Sequence, residues 1–255
     1  MGGRDWRSAS RSSRVSKEEI ATAESGPRQF QQLPRGRHRL PREAVAASQR
    51  GRILQAMAEV VGERGYANVR VADVIAAAGV SRKTFYELFD DREDCFLAAF
   101  DFWQERLLRM TSAGFEARAE APWTERIRVG LTAFLAGMAE QPAAARLCIV
   151  EVLAAGPTAV ARRDAAIQEF ARFLDLGRAE GAPELPETTA LSVAGGISEL
   201  LYSEINRGAT TELPGLLPEL VFWIVRAFRG EERAGAERDR ARRLMAEGEA
   251  GEPRS

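Results

Sequence analysis

Ile53, Leu54, Met57, Val60 and Val61 are spaced i, i+1, i+4, i+7, i+8, which puts all five on one stripe of a helix. The stripe predicts a first helix over about residues 41–62. The segment GERGYANV (62–69) ends it, with Gly65 as a left-handed cap and Tyr66 as the anchor of the turn. Val71, Val74 and Ile75 mark a second helix over 70–78, and a third runs over 82–89. Asp90 or Asp91 caps a fourth that continues to about residue 119. Pro122 and Pro142 open the next two, over 123–140 and 142–155. GPT (156–158), GAPELPE (181–187) and GATTELPG (208–215) separate helices over 159–180, 188–207 and 216–230. No run alternates as a strand does. The expected fold class is all-α, with about nine helices and no sheet. Residues 1–40 are rich in Arg, Ser, Gln and Gly and are expected to be a disordered basic tail, while 231–255, charged and without a sustained apolar stripe, reads as a marginal helix or a second tail.

Within this pattern VADVIAAAGVSRKTFYELF (71–89) stands out, because an apolar helix stops at Gly79 and restarts almost at once. Gly79-Val80-Ser81 is a three-residue turn: Gly79 lets the chain reverse, Val80 plugs the corner and the Ser81 hydroxyl caps the next helix. Phe85 and Phe89, one turn apart, face inward against Val74, and Arg82, Lys83, Thr84, Tyr86 and Glu87 face outward. A major groove admits one such helix, with its N-terminal residues nearest the base edges. Taken alone, the turn also fits an ordinary helical hairpin with a solvated face.

Charge adds to this picture. The net charge is −1, but residues 1–92 hold 17 Lys/Arg against 11 Asp/Glu and the remainder 19 against 26. A basic head on an acidic body suits a DNA-binding protein. Apolar residues make up 45% of the chain, enough for an ample core. Cys95 and Cys148 fall inside helices and read as free buried thiols of a reducing compartment. The lone histidine, His38, lies in the N-terminal tail, so neither a zinc site nor a Ser/His/Asp triad can be assembled, and no HExxH, G-x-S-x-G or Gly-rich phosphate loop occurs. No apolar run reaches spanning length. A cytoplasmic protein with no cofactor, no metal, no membrane partner and no enzymatic activity is expected.

GYANVRVADVIAAAGVSRKTFYELFDDREDCF (65–96) resembles the DNA-binding domain of the TetR/AcrR family of transcriptional regulators. The matching elements are Gly65-Tyr66, the apolar Val71, Val74 and Ile75, the Ala78-Gly79-Val80-Ser81 turn, Thr84-Phe85-Tyr86, and Phe89 followed by an acidic cap and Arg92. The resemblance implies a helix-turn-helix domain over 41–92 and a ligand-binding and dimerisation domain over 93–230, whose sequence carries no fixed motif. It implies DNA contacts by Arg70, Ser81, Arg82, Lys83, Thr84, Tyr86 and Arg92, with Lys83 and Thr84 at the bases and Tyr86 and Arg92 on phosphates. Where the family usually has Thr or Ser at the start of the second helix, this chain has Val69 and Arg70; Asn68 is expected to cap instead and Arg70 to touch phosphate. Leu88 stands where the family often has His. Arg37 and Arg39 offer a minor-groove arm.

The resemblance further implies a homodimer on a double-stranded, palindromic operator and a small-molecule effector. Ala194, Gly195 and Ser198 in the eighth helix and Leu217, Leu220, Val221 and Ile224 in the ninth are the expected dimer interface, a four-helix bundle across a two-fold axis. Phe102, Trp103, Phe115, Phe134, Met138, Leu147, Cys148, Phe170 and Phe173 are the expected pocket lining, with Glu151 and Arg146 as its polar residues. That lining favours a lipophilic or aromatic effector, which would release a repressor from its operator by favouring one of two conformers. An activator, or a helical interaction protein with altered DNA binding, are the alternatives.

Overall fold

The structure is a computed structural model that describes residues 42–181 and 184–251. The chain divides into two compact units, Met1–Arg52 and Ile53–Ser255. The described part of the first is the opening of helix α1, Arg42–Arg64. The second unit contains α2 (Val71–Ala78), α3 (Arg82–Leu88), α4 (Arg92–Glu116), α5 (Trp123–Glu140), α6 (Pro142–Ile149), α7 (Pro157–Ala179), α8 (Thr189–Asn206), α9 (Leu217–Arg229) and α10 (Glu231–Gly251). Short 3₁₀ turns at Tyr66–Asn68, Glu151–Ala154 and Thr210–Leu216 join some of them. The described residues are all-α, as the apolar periodicity predicts. The reading of residues 1–40, with the Arg37/Arg39 arm and His38, lies outside them.

Helix α10 departs from the expected tail. It packs along α9 although its sequence is mostly charged. Ala234 and Ala241 are fully buried, so small side chains make the contact and leave no visible apolar stripe. Polar groups add to it: Thr124 donates to the buried Glu237 carboxylate at 3.0 Å, and Arg242 pairs with Glu219 at 2.6 Å. The helix expected over 142–155 also ends early, at Ile149, and continues as the 3₁₀ turn Glu151–Ala154.

Two apolar cores fill the second unit. One joins Ile53, Met57, Val74, Phe85 and Phe89 to Phe96, Phe100 and Trp103 of α4 and to Leu147 and Val152. The three helices around the turn therefore share a core with the first turns of α4 and with α6. The other core lies between α5, α7, α8, α9 and α10 and is centred on Trp123, Leu135, Leu201 and Ile224. Trp123 is fully buried; its indole donates to the Phe173 carbonyl at 3.2 Å, and Gly177 lies against the ring. Cys95 and Cys148 are both buried. No helix among the described residues is long and apolar enough to cross a membrane.

Candidate nucleic-acid interface and cavity

Gly79 ends α2 in the left-handed conformation (φ 61, ψ 39), which glycine adopts at little cost, and lets α3 start three residues later. Ser81 Oγ then accepts the Thr84 amide at 3.0 Å and lies 2.9 Å from Thr84 Oγ1, so the two hydroxyls form one cap. Phe85 is fully buried, with the Phe89 ring 5.6 Å away. That burial turns Arg82, Lys83, Tyr86 and Glu87 to solvent. The Arg82 guanidinium lies 5.5 Å from the Tyr86 ring, and Lys83 reaches Glu87 at 3.7 Å, a loose exposed pair that another anion can displace. Arg70 is exposed at the start of α2. Its amide donates to Asp73 at 2.9 Å, and Arg64 bridges the same carboxylate at 2.7 Å. The Arg70 amide first, and Arg64 after it, hold the Asp73 carboxyl below its usual range. Asp73 therefore caps α2. Asn68, expected in that role, instead donates to the Arg64 carbonyl at 2.8 Å and closes the end of α1.

Arg92 occupies a different place from the one its resemblance implies. Its guanidinium donates to the Val69 carbonyl at 2.8 Å and lies 4.3 Å from the centre of the Tyr66 ring. The Val69 carbonyl, the Tyr66 carbonyl at 3.4 Å and the Tyr66 ring face together cradle the guanidinium, so Arg92 braces the turn. Tyr66 is itself buried, edge-on to Phe96 at 4.7 Å.

Glu151, expected among the pocket residues, lies at this same turn. Its Oε2 accepts the Tyr66 amide at 2.8 Å, and Arg146 reaches its other oxygen at 3.1 Å. α6 thus runs directly into the carboxylate that holds the turn before α2.

Behind this, helices α4 to α9 line a partly open cavity of about 100 Å³, where a single water needs only about 10–15 Å³. Phe134, Phe170 and Phe173 line it; the rings of Phe134 and Phe170 meet edge to face at 4.7 Å. Trp103 and Leu147 do not; both are buried in the core under the turn. Met138 points to the far side of α5, into a void of about 20 Å³ beside Trp103 and Gly137. Phe115 lines it too, and the lining without a counterpart in the sequence reading includes Phe100, Gln104, Leu107 and Thr111, on the same stripe of α4. The polar Gln104 and Thr111 on that otherwise apolar stripe were the available signal. The same holds for Arg163, which shares the α7 stripe with Ile167 and Phe170 and also lines the cavity.

The expected dimer residues turn inward. Leu217, Leu220, Val221 and Ile224 are 0–6% exposed within a single chain, and Ala194 and Ser198 are 7% exposed. Ala194, Ser198 and Ile224 line the cavity. Their small or branched side chains suit an internal wall, so they offer no surface to a partner, and Gly195 is only half-buried beside them. The outer surface of the same two helices is different: Trp223 is 56% exposed and lines an open groove with Ser192, Gly196 and Leu200, and Leu191 of α8 is 44% exposed. Among the described residues no cluster of three His, Cys, Asp or Glu is placed to hold a metal.

Residues 53–99 match the family model of the bacterial regulatory proteins of the tetR family. The HTH-type transcriptional regulator EthR of Mycolicibacterium smegmatis is 27% identical over 177 residues, 66% of this chain and 78% of that protein. The fatty acid degradation regulator FadR from Bacillus halodurans superposes with a TM-score of 0.62 at 17% identity, over 69% of this chain and 97% of its own. FadR from Bacillus subtilis, solved in complex with stearoyl-CoA, gives 0.60 at 17% identity, over 71% and 98%. These two likenesses speak for the fold. The turn geometry of α2 and α3 and the match over residues 53–99 give this chain a helix-turn-helix segment similar to that of the tetR family of bacterial regulatory proteins, and the chain is similar to the regulator EthR.

Proposed function

We propose that the protein is a ligand-responsive repressor that binds a palindromic operator as a homodimer and is released when a small, lipophilic or aromatic effector fills the cavity. The observation that carries this reading is the continuity between cavity and turn. Cys148 and Ile149 of α6 line the cavity, and two residues on, Glu151 holds the Tyr66 amide. A ligand that shifts α6 therefore moves the attachment of the DNA-reading helices, and its differential affinity for the two arrangements sets the loss of DNA affinity. α3 enters the major groove with Lys83 and Thr84 near base edges; Arg70, Ser81, Arg82 and Tyr86 lie on phosphates. Dimerisation uses the outer faces of α8 and α9 around Leu191, Gly196 and Trp223, where large apolar side chains are exposed among the described residues.

Equilibrium binding of duplex DNA across a salt series tests it. Affinity is expected to fall steeply and linearly on a log–log plot, and Arg82→Gln is expected to lower the slope by about one. Absence of binding at low salt would overturn the reading.

A further inference from the structure

We propose that the effector is an amphipathic anion, an apolar tail with a single carboxylate, and that Arg163 takes the carboxylate. The inference rests on the reading of the cavity as the effector site. Arg163 stands on the inner stripe of α7, where its neighbours are Ala166, Ile167 and Phe170. A guanidinium against such a wall is costly unless its charge and donors are matched. In this chain the match is incomplete. Nη1 is 3.4 Å from Asp164, the adjacent residue, whose side chain is 56% exposed and shared with water. Nη2 donates to Ser198 Oγ at 3.1 Å, a neutral partner. Nε is buried with no acceptor.

The Nε–Nη2 edge is the one that a carboxylate grips with two parallel bonds. Ser198 faces it from α8, and its hydroxyl can turn to donate to the same carboxylate. The sign of the charge follows from the rest of the wall. None of the described residues lining the cavity is acidic, so a cationic ligand finds no counter-charge there, while the guanidinium favours an anion. The aromatic and branched residues supply the apolar surface that a tail needs.

Calorimetry on the full chain tests this with two probes of equal chain length, dodecanoate and 1-dodecanol, both below their aggregation limits. The wild type is expected to bind dodecanoate about ten-fold or more tighter than the alcohol, the range of a charge-assisted bond in a dry site. Arg163→Gln is expected to bind the alcohol as the wild type does and to lose the preference; Arg163→Lys keeps part of it. Equal affinity of the wild type for both probes overturns the anion assignment and leaves the effector site standing. A preference that survives Arg163→Gln makes Arg163 a structural brace. Failure of both probes to bind removes the effector site and the anion with it. If Arg163→Gln does not fold, the wild-type pair and Arg163→Lys decide.

Discussion

Glu151 on the turn after α6 accepts the backbone amide of Tyr66 at 2.8 Å, eighty-five residues away along the chain. The carboxylate is buried, and Arg146 is its counter-charge. Glu151→Ala leaves the amide without an acceptor and is expected to cost about 2 kcal/mol in chemical denaturation. If the contact couples cavity to helix-turn-helix, the same variant binds cavity ligands as the wild type does while its DNA affinity no longer responds to them. A stability loss with an intact ligand response would make the contact purely structural.

Arg92 and Arg82 separate by salt dependence. Arg92 is committed to the Val69 carbonyl and the Tyr66 ring, so Arg92→Gln is expected to lower the melting temperature and to leave the salt slope of DNA binding unchanged. An exposed phosphate contact behaves in the opposite way, lowering the slope by about one with little effect on folding.

Tyr86 is 45% exposed on α3. Tyr86→Phe removes one hydroxyl donor and is expected to weaken binding to every duplex about equally. A change in sequence preference, measured by competition between two duplexes, would move Tyr86 from the backbone to the bases.

Gly177 is set by the Trp123 ring. A Cβ at this position would lie 2.6 Å from two ring carbons of a fully buried indole. Gly177→Ala is expected to cost about 1–3 kcal/mol, read as a melting temperature lower by about 2–4 °C per kcal/mol. An unchanged melting point would mean that the α5–α7 contact is looser than the structure has it.

Burial, with the Asp101 charge second, pushes the Cys148 thiol up from 9.0 to about 12. The raised value keeps the native thiol protonated where the unfolded thiol ionises. Its contribution is intact below about pH 9 and is lost as pH rises from there towards 12. The wild type is therefore expected to lose stability across that window faster than Cys148→Ala, by up to about 1.4 kcal/mol per pH unit. Parallel pH profiles of the two proteins would contradict this.

The sequence disclosed the helices because apolar periodicity and proline positions are local properties. Ser81, Gly79 and the Phe85–Phe89 pair were legible for the same reason: each acts within one turn of the chain. What escaped depended on distant partners. Ala234 and Ala241 make α10 a packed helix with no apolar stripe to announce it. Glu151 is a buried carboxylate whose partner amide lies on a different helix boundary. Small residues on α8 and apolar ones on α9 are legible in the sequence, but which side meets the chain's own core and which stays outside is a tertiary fact. Trp223, outside, and Val221, inside, differ by two residues.

Selection of bound fragments from a random pool of duplex DNA by the full chain, at one fixed salt concentration, tests the central claim most directly. Recovery of an inverted repeat, with two chains on each duplex, is the predicted result, and its half-sites identify the bases within reach of Lys83 and Thr84. Enrichment of no sequence, with only weak, salt-sensitive retention, would contradict a dimeric operator-binding regulator.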